Sequence, residues 1–79
     1  MTSVASGPRL LLVEDDVPTR TTIAANLAGH DYRVEEASSV AEALRALDAR
    51  RPDLVVLDLG LPDRDGLEVV RHVRRDATT

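Results

Sequence analysis

The sequence predicts an α/β fold, a parallel sheet with flanking helices in the order β-α-β-α-β-α. Two short, uninterrupted apolar runs, at 9–13 and 54–57, suit strands covered on both faces. A third segment, 32–37, alternates as a strand does. Helical apolar spacing separates these segments, and strands alternating with helices give a parallel sheet with right-handed crossovers.

Residues 1–8, ending in Gly7-Pro8, read as a flexible tail, and 9–79 as a single domain. The first strand stops abruptly at Glu14-Asp15-Asp16. Pro18 suits the first turn of a helix. Ile23 and Leu27, with alanines between them, give an apolar stripe, and Gly29 marks its stop. After the second strand, Ser39 and Glu42 have capping-box spacing. Val40, Leu44 and Leu47 then repeat at helical spacing as far as Ala49, and Pro52 breaks the helix. The third strand ends in another acid, Asp58, followed by a loop at 60–66 rich in turn residues. Leu67, Val70 and Val73 mark a last helix that trails off at Arg74-Arg75-Asp76.

Composition narrows the function classes. A chain of 79 residues holds one small domain, and 43% hydrophobic residues exclude a disordered one. Tyr32 is the sole aromatic, so the core is aliphatic. Without cysteine there is no disulfide and no thiolate metal site. The N-terminal residues lack the pattern of a signal peptide, and no apolar stretch approaches the roughly 20 residues that span a bilayer. A cytoplasmic protein without a membrane partner is expected. The net charge of −4 argues against nucleic-acid binding by this segment. All ten basic residues are Arg and none is Lys. Arg50, Arg51, Arg71, Arg74 and Arg75 are expected at solvent-facing helix ends, where positive charge complements the macrodipole. His30 and His72 lack a partner at metal-ligand spacing and are expected to be solvated.

In parallel sheets, ligands bind beyond the carboxyl ends of the strands. If the first and third strands are neighbours, Glu14, Asp15, Asp16 and Asp58 converge there. Crowded carboxylates need protonation, a basic partner or a metal to relieve their repulsion. Oxygen-only donors suit a hard cation such as Mg²⁺, and an Asp can also attack phosphorus. Acids after strands also cap helices, which leaves Asp16 open to either role.

The runs at 11–16 and 52–66, together with Arg20, resemble the response-regulator receiver family. The more specific part is an apolar strand, then Asp58, then Leu61-Pro62, then Asp65-Gly66. The Leu59-Gly60-Leu61-Pro62-Asp63 loop is most similar to the OmpR/PhoB group of transcription regulators, and within it to the Kdp-type potassium-response regulators. The resemblance implies a flavodoxin-like receiver sheet, with Asp58 as the phosphoacceptor. It implies Mg²⁺ bound by Glu14, Asp15, Asp58 and the backbone carbonyl of Gly60, with Pro62 and Gly66 shaping the loop. The expected partner is a sensor histidine kinase, and Arg20 lies on the helix that docks it in the family. A solvated surface Arg is the alternative.

The family domain has five βα units in strand order 2-1-3-4-5, and this chain supplies three. The later Ser/Thr and Lys positions and any DNA-binding domain are outside it, so a truncated receiver is expected, with DNA contacted only through a C-terminal domain. The third strand is then an apolar edge that invites self-association. The module is expected to signal rather than to act as an enzyme. Two alternatives stay open: a phosphorylation-incompetent fragment acting by self-association, and a Mg²⁺-dependent aspartyl-phosphate phosphatase. Such phosphatases usually carry a second Asp where Gly60 stands.

Overall fold

Strand β1 (Arg9–Val13) lies in the middle of a three-stranded parallel sheet, between β2 (Arg33–Ala37) and β3 (Leu54–Leu57). The computed structural model describes residues 7–58, 63 and 66–76. Helix α1 (Val17–Gly29) joins β1 to β2, α2 (Val40–Ala49) joins β2 to β3, and α3 (Leu67–Asp76) follows β3. The central position explains the uninterrupted apolar run: Leu10, Leu11, Leu12 and Val13 are all buried. Leu11 and Val13 join Ala37, Val40, Ala43, Leu47 and Val69 in one core beneath α2 and α3. Leu10 and Leu12 point to the opposite face, because successive side chains alternate across a strand.

The order β2-β1-β3 makes the chain move one way from β1 to β2, and the other way from β2 to β3. Right-handed crossovers in opposite directions place α1 and α2 on opposite faces. The reversal opens a crevice at the carboxyl ends of β1 and β3. That crevice positions the site described below.

The ends of α1 are set by side chains and backbone conformation. Asp16 is the N-cap and accepts a hydrogen bond from Thr19 N at 3.1 Å, and Pro18 stands in the first turn. The helix ends at Gly29, as expected, but glycine is not the residue that turns the chain. The left-handed residue is Asp31, with φ 69°. Asp31 N donates to Ala28 O and Tyr32 N to Leu27 O, the two bonds of a Schellman stop. Asp is among the few residues that tolerate this conformation, because its short polar side chain bonds locally.

Residues Gly7 and Pro8, expected in a flexible tail, are instead fastened. Gly7 N donates to Asp31 O at 3.0 Å, Arg33 Nε donates to Gly7 O, and Arg33 N donates to Pro8 O. A Cβ on Gly7 would meet the Asp31 carbonyl oxygen at 2.1 Å, so the close approach requires glycine.

At α2, Ser39 Oγ accepts from Glu42 N at 3.1 Å, as the capping-box spacing predicts. The return half lands one residue early, because Glu42 accepts from Ser38 N and from Ser38 Oγ. The Ser38 N–H, then the Ser38 hydroxyl, with Arg45 and Arg20 adding charge, hold the Glu42 carboxyl below its ordinary 4.5. A depressed folded value stabilises the fold above the unfolded value, and the contribution is lost as pH falls through the folded one. Glu42→Gln is therefore expected to flatten the acid limb of a stability–pH profile below about 4.5, measured by thermal unfolding.

Two readings of the helices are corrected. In α3 the buried residue is Val69, with Val70 and Val73 half-buried, whereas Leu67 is exposed. His72 is not simply solvated, since its Nε2 lies 2.9 Å from Asp48 Oδ1 and ties α3 to α2. His30 is exposed beyond the end of α1, and Arg50, Arg51, Arg71 and Arg74 are exposed. The side chain of Arg75 lies outside the described residues.

Candidate functional site

The β1–β3 pairing brings the acids together. Val13 is in register with Leu57, and Asp58 N donates to Val13 O at 3.0 Å, so Glu14 and Asp58 leave neighbouring strands side by side. Glu14 N donates to Ala37 O, which fixes the exit of β1 against β2 as well. Glu14, Asp15 and Asp58 each offer a carboxylate oxygen, and the three oxygens lie within 4.8 Å of one another. Asp15 is exposed, and Glu14 and Asp58 are half-buried. Asp16, the fourth acid of the expected convergence, turns away to cap α1.

The crowding shows in Glu14. The Asp16 N–H bonds its carboxylate at 3.2 Å and pulls its pKa down. Partial desolvation, Asp58 and Asp15 together outweigh that bond and leave the carboxyl above its ordinary range. The donor set therefore fits a hard divalent cation. An octahedral Mg²⁺ site places oxygens about 3 to 4.2 Å apart, a span compatible with this cluster.

Behind the cluster stands Arg20. Its Nη1 donates to the Glu14 carbonyl at 3.0 Å, and its Nε to Glu36 Oε1 at 3.1 Å. The side chain is only 19% exposed, so the solvated alternative for Arg20 does not hold.

Asp63, read only as a turn residue, caps α2 from the far side of the site loop. Its Oδ1 accepts from Val40 N at 2.9 Å and its Oδ2 from Ala41 N at 3.0 Å. A carboxylate there satisfies two unpaired helix donors and complements the helix dipole. Asp63→Ala is expected to cost about 1–2 kcal/mol, read by urea unfolding. Gly60 and Pro62, expected to supply a ligand carbonyl and a turn, lie outside the described residues. Gly66 is buried at the start of α3, its carbonyl accepting from Val69 N at 3.0 Å.

The parallel α/β sheet with an acid cluster at its switch point defines a class also found by comparison. The family model for the response regulator receiver domain matches residues 10–79. The chain belongs to the response-regulator receiver family, whose domains are signalling modules rather than conventional enzymes. Its curated relatives are regulators of the OmpR/PhoB group. The transcriptional regulatory protein AfsQ1 of Streptomyces coelicolor is 47% identical over 86% of this chain and 30% of its own length. The KDP operon transcriptional regulatory protein KdpE of Escherichia coli is 42% identical over 84% and 29%. The Kdp-type likeness is thus one of several within the group. Among solved structures, the response regulator TrrA of Thermotoga maritima, in complex with Mg²⁺–BeF, superposes with a TM-score of 0.82. It is 32% identical and covers 87% of this chain, which spans 60% of it. The chain therefore spans about a third of the curated relatives it matches. Among the described residues, no helix is long and apolar enough to cross a membrane.

Proposed function

We propose that Asp58 accepts a phosphoryl group from a phosphorylated histidine of a sensor kinase, and that the resulting charge controls a transcriptional output domain of a longer, cytoplasmic regulator. The observation that carries this reading is the meeting of three carboxylate oxygens within 4.8 Å at the switch point of a receiver sheet. A carboxylate oxygen of Asp58 attacks phosphorus, an acyl-phosphate bond forms, and the bond from phosphorus to the donor nitrogen breaks. Glu14, Asp15 and Asp58, with the Gly60 carbonyl, would hold Mg²⁺, which neutralises charge on the transferring group. The Mg²⁺–BeF complex of the relative TrrA supports that choice of cation.

Family membership disfavours the phosphatase alternative. The test is intact mass after incubation with acetyl phosphate, with and without Mg²⁺, alongside Asp58→Asn. A single phosphoryl adduct that needs both metal and Asp58 is expected. An adduct that survives Asp58→Asn would refute the assignment. Absence of any adduct would favour a chemically silent segment acting by association.

Self-association has its own support. Strand β3 is an edge of the sheet formed by the described residues, Leu54 is 46% exposed, and Leu47, Val55, Leu57, Val69 and Val73 line an adjoining cavity of about 320 Å³. An apolar edge of this kind pairs with another chain. Solution scattering should show a species larger than the monomer at high concentration, and a monodisperse monomer would contradict it.

A further inference from the structure

Arg20 is unusual in where it spends its charge. It stands on the first turn of the helix that follows the Glu14–Asp15 pair, and its side chain bonds a main-chain carbonyl as well as a carboxylate. One bond goes to the main-chain carbonyl of Glu14 and the other to Glu36, at the end of β2. Its own N–H is committed to the Asp16 carbonyl at 2.8 Å, within the first turn of α1. The guanidinium thus ties the exit of β1 to the end of β2, from a residue whose backbone belongs to the first turn of α1.

We infer that Arg20 is a positioning residue for the cation site: it fixes the Glu14–Asp15 peptide by holding the Glu14 carbonyl. The Glu14 N–H is held by the Ala37 carbonyl, and Arg20 holds the carbonyl of the same residue. With both flanking peptides fixed, Asp15 leaves the strand in one direction. A planar guanidinium presents several donors in a rigid fork, so it can hold two acceptors at a set separation. Groups that orient metal-ligating residues in this way typically change metal affinity 10- to 100-fold when removed. Arg20 acts from behind, through the backbone.

The inference rests on the cation-site reading above. Its sign separates positioning from simple charge. If Arg20 acted only as a nearby positive charge, its removal would relieve repulsion and tighten cation binding. If it positions the cluster, removal weakens binding.

The experiment is a Mg²⁺ titration of the 79-residue chain by calorimetry, repeated for Arg20→Ala, Arg20→Lys and Glu36→Gln. About a tenfold weaker binding is expected for Arg20→Ala. Arg20→Lys, which keeps the charge and loses the fork, should restore little of it. Glu36→Gln, which loosens one anchor and leaves the Glu14 bond, should show a smaller loss of the same sign. Circular dichroism of each variant keeps a folding defect apart from a binding defect, and Glu36→Gln decides the matter if Arg20→Ala fails to fold. Unchanged or tighter binding in Arg20→Ala, or full restoration by Lys, would overturn the positioning role while leaving the cation site intact. A wild-type chain that binds no Mg²⁺ would overturn the cation site itself, and this role with it.

Discussion

Asp58→Asn is expected to make the metal-free chain more stable at neutral pH, and to abolish its response to Mg²⁺. The cause is the electrostatics of the cluster. The Asp16 N–H lowers the Glu14 pKa, but desolvation, Asp58 and Asp15 together leave it above the ordinary 4.5. A folded value raised above the unfolded one contributes stability that is fully present below about 4.5 and is lost as pH rises through the folded value. At pH 7 that stability has gone, and three carboxylates face one another. Removing the Asp58 charge relieves the repulsion. Thermal unfolding in a chelator should therefore give a higher midpoint for Asp58→Asn than for the wild type at pH 7, with the difference narrowing as pH falls toward about 4.5. On the proposed reading, Mg²⁺ held by the folded cluster and not by the unfolded chain should stabilise the wild type by about 1.4 kcal/mol at tenfold excess over its Kd. Asp58→Asn should show little of that shift. A variant less stable than the wild type at pH 7 in chelator would show that Asp58 is held by favourable contacts and not crowded by its neighbours.

The second large effect is structural. Leu11 is 1% exposed on the central strand, in the core beneath α2. Leu11→Ala removes a buried side chain and leaves a cavity, typically at a cost of about 2–5 kcal/mol. A domain of this size buries a modest share of its surface and is correspondingly marginal. The variant is expected to lose cooperative unfolding at 25 °C, seen as a sloping transition by circular dichroism. Leu54→Ala, at an exposed position of β3, should cost well under half as much. Equal effects at the two positions would contradict the placement of the core.

Much of this architecture is legible because the two apolar strands announce themselves, although β3, expected to be covered on both faces, is only half-buried at 55–57 and exposed at Leu54. Nothing polar interrupts 10–13, since that strand is covered on both faces, and the acids appear where it reaches the crevice. The edge strand β2 is legible by alternation, and begins at Arg33, one residue later than its pattern suggests. The caps show the limit of local reading. Ser39 and Asp16 act within three residues, and the sequence spacing exposes them. Asp63 acts across a gap of more than twenty residues, which no local pattern encodes. Helix α1 ends at Gly29, but the left-handed residue of its stop is Asp31, because a Schellman motif needs one left-handed residue and Asp tolerates it. In α3 the sequence spacing selects Leu67, Val70 and Val73, whereas the packed face is centred on Val69; three valines in one short helix leave the face ambiguous until α2 is placed beside it. Of the candidate site, the acids are readable from strand ends, but the Arg20 bond to a carbonyl is not, because a main-chain acceptor leaves no mark on residue type.

The central claim is that the acid cluster makes Asp58 a metal-dependent phosphoryl acceptor. The most direct measurement is to treat the chain with acetyl phosphate and Mg²⁺, trap the acyl phosphate by borohydride reduction, and map the modified residue by peptide mass spectrometry. Reduction at Asp58 alone, absent when Mg²⁺ is chelated, is the predicted result. Modification at Asp15 or elsewhere with Asp58 intact, or metal-independent labelling, would contradict it.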